Sequence, residues 1–153
     1  MDDDVIVVRT NEPQPEPALP DGVVFRVIDT PLDALRIARA YARAYSWRAT
    51  LKMLAKTATA RRSYWVAMCD GQILSDGWIQ KGYYRHHPIG PDDYVLESMH
   101  TVPSARGLGL AHSCLVRAIN LSLRRGAPWV YGDTTRANVA SWKVCMKSGY
   151  RPL

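Results

Sequence analysis

The chain has 153 residues, 47% hydrophobic and 22% charged, with a formal net charge of +6. That length and balance describe one globular domain with a core of its own, and no apolar run approaches the roughly 18 residues of a membrane-spanning helix. Cys69, Cys114 and Cys145 have no C-x-x-C spacing, which excludes a disulfide framework or a cysteine zinc site.

The start, Met1-Asp2-Asp3-Asp4, is acidic rather than basic like a secretory leader, so a cytoplasmic location is expected. Val5-Ile6-Val7-Val8 has the composition of a strand, either added to a sheet edge or left in a disordered tail. Residues 11–20 are proline-rich and extended. Residues 1–21 are therefore expected to form a loosely attached tail and linker, and 22–153 the folded domain.

Val23–Ile28 reads as a strand, and Thr30 followed by Pro31 reads as a helix start. The helix runs from Leu32 to Tyr45 with Leu35, Ala38, Tyr41, Ala42 and Tyr45 as its apolar stripe, and a second covers Arg48–Thr57. Tyr64–Met68 and Gln72–Lys81 form a hairpin around Asp70-Gly71. Residues 85–93 are a loop by composition, and Tyr94–Val102 is the next strand. A helix over Leu110–Arg125 ends at Gly126, Trp129–Thr134 is a strand, and Asn138 caps a last helix that stops at Gly149.

The charge is uneven: residues 1–20 carry a net −4, leaving +10 for the remainder. A polyanionic partner suits that balance, but the basic residues are dispersed and no nucleic-acid-binding motif is present, so no nucleic acid partner is expected. His86-His87 has no third ligand at helical or strand spacing, and no metal is expected.

The most informative stretch is Arg106-Gly107-Leu108-Gly109-Leu110-Ala111, between a strand and a long helix. Glycines there permit close backbone approach, and the helix start leaves amide N–H groups without intrahelical partners. With the helix dipole and Arg106 they form a cradle for a pyrophosphate. A Walker loop is ruled out by the missing Gly-Lys pair, and a dinucleotide fingerprint by His112 where its next glycine belongs.

A second motif runs from Asn138 to Tyr150, one helix and one strand later. Together the two resemble the GNAT superfamily of N-acetyltransferases. The first matches [RQ]-x-x-G-x-[GA] at Arg106, Gly109 and Ala111. The second matches N-x-x-[AS]-x-x-[LV]-x-x-K-x-G-[FY] at Asn138, Ser141, Val144, Lys147, Gly149 and Tyr150.

The resemblance implies an α/β (α+β) fold with a mixed, mostly antiparallel central sheet flanked by helices. The family's final strand is apparently missing, because only Arg151-Pro152-Leu153 follow Tyr150. Either the chain is truncated there, or that strand is absent or supplied by a partner, and an unpaired edge there suggests a homodimer. The resemblance also implies acetyl-CoA as cosubstrate and transfer of its acetyl group to a primary amine by direct attack in a ternary complex. The cosubstrate would be bound by Met99, Thr101, Arg106, Gly107, Leu108, Gly109, Leu110, Ala111, Asn138 and Ser141.

Glu97 and Asp133 are the candidate bases, since a desolvated carboxylate can take a proton from an ammonium group. Strict alternation would put Glu97, Met99 and Thr101 on one face of their strand and His100 on the other. Many members place a tyrosine seven residues after the motif asparagine; here Cys145 stands there, so the general acid is open between Tyr131, Tyr150 and none. Tyr41, Tyr45, Trp47, Trp78, Tyr83 and Tyr84 are candidates to line the acceptor side. The departure at Cys145 keeps a second reading in play, a non-catalytic acyl-CoA-binding module of the same fold.

Overall fold

The computed structural model describes residues 4–153; Met1, Asp2 and Asp3 of the acidic start lie outside the described residues. In chain order the elements are β1 (Val5–Thr10), β2 (Val24–Ile28), α1 (Pro31–Ala44), α2 (Trp47–Thr57), β3 (Arg62–Cys69), β4 (Gln72–Lys81), β5 (Tyr94–Thr101), a 3-10 turn (Pro103–Ala105), α3 (Leu110–Arg124), β6 (Val130–Thr135), α4 (Val139–Lys147) and β7 (Arg151–Pro152). The strands form one sheet in the order β2-β3-β4-β5-β6-β1-β7. Only β5 and β6 run parallel; every other neighbour is antiparallel, as a mixed, mostly antiparallel sheet requires.

Each face of the sheet has its own core. On one, Trp65, Ala67, Ile79 and Leu96 pack against Leu110, Cys114, Leu115, Ala118 and Ile119 of α3 and against Cys145 and Tyr150. On the other, Ile28, Tyr64, Val66 and Ile73 meet Ala34, Ile37 and Tyr41 of α1 and Met53 of α2. Consecutive β3 residues thus enter opposite cores, which is why Tyr64 to Ala67 are all buried. The buried stripe of α1 is Ala34, Ile37 and Tyr41 rather than the expected Leu35-Ala38-Tyr41-Ala42-Tyr45 set; Leu35 is 58% exposed. The helix opens at Pro31, with Thr30 accepting the Asp33 amide, and the 3–4 spacing of Ala34, Ile37 and Tyr41 decides which side turns inward.

The N-terminal segment is not a loose tail. β1 lies inside the sheet, with six register pairs to β6 and two to β7. Val8 is fully buried, Ile6 packs against the α3-side core, and Val7 joins Tyr84, Val95 and Tyr131 on the opposite face. A run of four apolar residues, buried on both faces, fits an interior strand better than an edge. The place beside β6 is thus filled neither by a partner nor by a C-terminal strand, but by the chain's own first strand. The C-terminal residues add only Arg151–Pro152 beyond it.

The proline-rich segment is strapped along α3. Ser113, Arg117 and Asn120, spaced one turn apart, donate to the carbonyls of Ala18 (3.4 Å), Pro17 (2.7 Å) and Gln14 (2.8 Å). Asn120 Oδ1 accepts the Gln14 amide in return, at 3.1 Å. An extended proline-rich backbone has no internal hydrogen bonds, so the side chains of a helix satisfy it instead.

Val8→Asp would bury an uncompensated carboxylate against the α3-side core. We expect it to cost several kcal/mol and to abolish cooperative thermal unfolding, whereas Val5→Asp, at the partly exposed start of β1, should be much milder.

Candidate active site

The site originates in an irregularity of β5. The β4–β5 register passes from Trp78↔Glu97 to Asp76↔His100, so Ser98 and Met99 together face Gly77. Ser98 takes a left-handed φ of 53°, as the extra residue of a bulge can. Gly77 tolerates no side chain, since a Cβ there would lie 2.6 Å from the Trp65 ring.

The bulge reverses the parity of the strand, and strict alternation fails beyond it. Glu97 and His100 both face the α1/α2 side: Glu97 pairs with Trp78, and the Nδ1 of His100 lies 3.5 Å from the Tyr45 hydroxyl. Met99 turns to the α3-side core, and Thr101 meets Ser75 Oγ at 2.9 Å. The expected grouping of Glu97, Met99 and Thr101 on one face, with His100 opposite, is therefore wrong.

β5 and β6 separate already before the bulge. Their parallel pairing is confined to Tyr94↔Val130 and Val95↔Tyr131. Between the diverging strands lies a cavity of about 250 Å³, lined among others by Leu96, Ser98, Met99, Asp133, Asn138, Ser141 and Tyr150. The β6-facing backbone groups of β5 here look into the cleft instead of into a ladder.

A second cavity of about 310 Å³ follows at the start of α3, lined by Thr101, Arg106, Gly107, Gly109, Leu110, Ala111, His112, Lys143 and Lys147. Gly109 caps the helix with φ 73° and no side-chain cap bond, and the first intrahelical bond is from the Ser113 amide to Gly109 O. The amides of Leu110, Ala111 and His112 are therefore free for an anion. A Cβ on Gly107 or Gly109 would meet nothing within 4 Å, so it is their φ values of +80° and +73° that call for glycine. Leu110 is buried and anchors the helix, Leu108 is exposed, and Arg106 Nε donates to Thr101 O at 3.2 Å. Asn138 caps α4 by accepting the Ser141 amide at 3.0 Å.

The two carboxylates lie on the face opposite α3. Burial pushes Glu97 above the usual carboxylate range; Arg62 opposes that shift and the charge of Asp133 adds to it. Asp133 Oδ2 accepts the Tyr84 hydroxyl at 2.8 Å. Tyr84 is buried on loop 82–93, whose ends are tied by Gly82 N to Asp93 O at 2.9 Å and by Trp129 N to Asp93 Oδ1 at 3.1 Å. Burial and the Asp133 carboxylate hold the Tyr84 phenol far above its ordinary value, so it stays a donor.

Of the other aromatics, Tyr45 and Trp78 face this side, Tyr41 belongs to the core, and Trp47 and Tyr83 are 64% and 56% exposed on the outer surface. Asp76 is buried and accepts the hydroxyls of Tyr45 (2.5 Å) and Tyr64, tying the end of α1 to the sheet. Sequence reasoning missed this cluster and the Tyr84–Asp133 bond, because the partners stand 31, 12 and 49 residues apart. Cys145 is packed in the core, and burial raises its thiol. Tyr150 lines the cleft with its hydroxyl donating to Tyr131 O at 3.1 Å.

No family model and no curated protein sequence matches the chain. Solved structures do. An aminoglycoside N-acetyltransferase, AAC(6')-Iy, in complex with the bisubstrate analogue CoA-S-monomethyl-acetylneamine, superposes with a TM-score of 0.66 at 18% identity, over 84% of this chain and 90% of that one. A GCN5-related N-acetyltransferase from Sphaerobacter thermophilus gives 0.68 at 18% identity, over 98% of this chain and 48% of that one. A predicted acetyltransferase from Clostridium acetobutylicum with acetyl-CoA gives 0.59 at 18%, over 84% and 90%. The fold is the one that these acetyltransferases share.

Gly109→Val would force a β-branched residue into a left-handed conformation and crowd the open amides. We expect a loss of about 1–2 kcal/mol in thermal unfolding and the disappearance of any stabilisation by added pyrophosphate.

Proposed function

We propose that the chain transfers the acetyl group of acetyl-CoA to a primary amine, by direct attack within a ternary complex. The observation that carries the reading is the pairing of an anion-ready helix start, with the free amides of Leu110–His112, and an open cleft between β5 and β6 whose lining includes Asp133. The proportions suit acetyl-CoA: anion donors at one end, a narrow slot edged by unpaired backbone next, and proton acceptors beyond.

Once bound, the cosubstrate supplies an acetyl thioester. Amides of β5 past the bulge are suited to donate to its carbonyl oxygen, where negative charge develops. Glu97 is the better base of the two carboxylates. It is half-buried, makes no ion pair within 4 Å among the described residues and is held above its ordinary range, which brings its proton affinity closer to neutral pH. Asp133, oriented by Tyr84, is suited to receive the acceptor ammonium. The ammonium gives one proton to Glu97, the amine nitrogen bonds the acetyl carbon as the C–S bond breaks, and the second proton that this nitrogen loses ends on the departing thiolate. Tyr150 lines the cleft, so it rather than Cys145 is the candidate to relay that proton, giving its own to the thiolate as it receives the nitrogen's.

The buried cysteine in place of the tyrosine favours a second reading, an acyl-CoA-binding module without turnover. Acetyl-CoA at a hundredfold excess over Kd should raise stability by about 2.7 kcal/mol under either reading. Only the enzyme releases thiol when an amine is added. Glu97→Gln should keep that stabilisation and lower turnover by about 10²–10⁴. A variant as active as the parent would remove Glu97 as the base.

The acid limb of kcat/KM should lie above the ordinary glutamate value, because activity requires the ionised carboxylate and its pKa is raised. The charge of Asp133 contributes to that rise, so Asp133→Asn should move the limb to lower pH while raising KM for the amine. A limb that stays in place in Asp133→Asn would show that the two carboxylates do not share a site.

A further inference from the structure

The acceptor face carries more charge than a base and an anchor require. Lys56 of α2, Arg62 of β3 and Arg85 of loop 82–93 all act electrostatically on Glu97. Yet among the described residues none of these three cations, nor Glu97 or Asp133, forms an ion pair within 4 Å. Lys56 Nζ instead lies over the Trp78 ring at 5.0 Å, and Arg85 Nε meets His86 Nε2 at 2.7 Å. Burial, and then the nearby Arg62, hold the Lys56 ammonium below its ordinary value, and the charge of Glu97 only partly opposes them.

Strand register brings these charges to one face: Arg62 pairs with Gln80, Glu97 pairs with Trp78 two residues along the same strand, and Lys56 lies over Trp78. Opposite charges on one face attract, and leaving them unpaired forgoes that attraction. A ligand with both charges would satisfy the whole array: its ammonium at Asp133 and Glu97, its anion at the basic rim. We infer that the acceptor is an amine that also carries an anionic group, a carboxylate or a phosphate, read by Arg62, Arg85 and Lys56. The inference rests on the acetyl-transfer reading and narrows its substrate class. A polycationic amine would face three cations against two carboxylates, on a protein whose formal net charge of +6 already repels it. Loop 82–93 suits the task because Asp93 ties its ends while Tyr84 and Arg85, neighbours in sequence, serve the two charges separately.

The test measures kcat/KM by thiol release for two anionic amines, their neutral controls and a polycation. These are 5-aminovalerate against its amide, and phosphoethanolamine against ethanolamine, with spermidine as the polycation. We expect at least one anionic member to exceed its neutral control tenfold or more, and the pair that does so tells carboxylate from phosphate. In Arg62→Gln/Arg85→Gln that ratio should fall toward one, while stabilisation by acetyl-CoA shows that the variant is folded. Equal use of charged and neutral amines, a preference for spermidine, or a ratio unmoved in the double variant would overturn the inference and leave acetyl transfer standing. Stabilisation by acetyl-CoA with no thiol release from any amine would remove the transfer reading, and this inference with it.

Discussion

Everything at the site depends on β5 and β6 separating after two ladder pairs. A parallel pair that continued would satisfy its own backbone and leave no slot. The ladder ends at Val95, and the bulge at Ser98–Met99 follows in the stretch of β5 that has already lost β6. The extra residue reverses strand parity. Glu97 and His100 are thereby brought to one face, while Met99 enters the opposite core.

A strand that loses one neighbour needs the other. From Gly132 to Thr135, β6 has no partner on its β5 side and is held by Val5 to Val8 of β1 alone. These are the residues that place Asp133 and lead to the Asn138 cap. The N-terminal strand is therefore part of the cleft's support, and the strap along α3 fastens it. Asn120, buried within α3, both donates to and accepts from Gln14, and Arg117 holds Pro17 O. Removing any link would loosen β6 where it has no second ladder.

The two carboxylates differ through their surroundings more than through their chemistry. Asp133 is exposed but fixed by a buried phenol, while Glu97 is half-buried with no hydrogen-bonded partner among the described side chains. The first environment suits a carboxylate that stays in place. The second suits one that exchanges a proton. Asp76, tied to Tyr45 and Tyr64, uses a third carboxylate for structure, fastening the α1–α2 junction over the sheet.

Much of this was legible in the chain. The glycines and helix start at 106–111 follow from local rules, because a left-handed φ and free N-terminal amides are consequences of neighbouring residues. The Asn138 cap and the hairpin at Asp70-Gly71 were legible for the same reason, whereas the mixed, mostly antiparallel sheet was legible through the family resemblance. Contacts that join distant segments were not. The apolar run Val5–Val8 has the composition of a strand, but nothing within it says that β6 lacks a neighbour. The bulge was hidden because alternation is the default, and only the β4 register shows that two residues face Gly77. The partners of Asp133, Asp76 and the proline-rich strap lie 12 to 106 residues away. Sequence alone determined most of the elements, the left-handed glycines and the free helix start at 106–111, since these depend on short-range sterics and backbone donors. Tertiary structure decided which strand closes the sheet, which way β5 turns its side chains and which charges remain unpaired, since those depend on what the rest of the chain brings alongside.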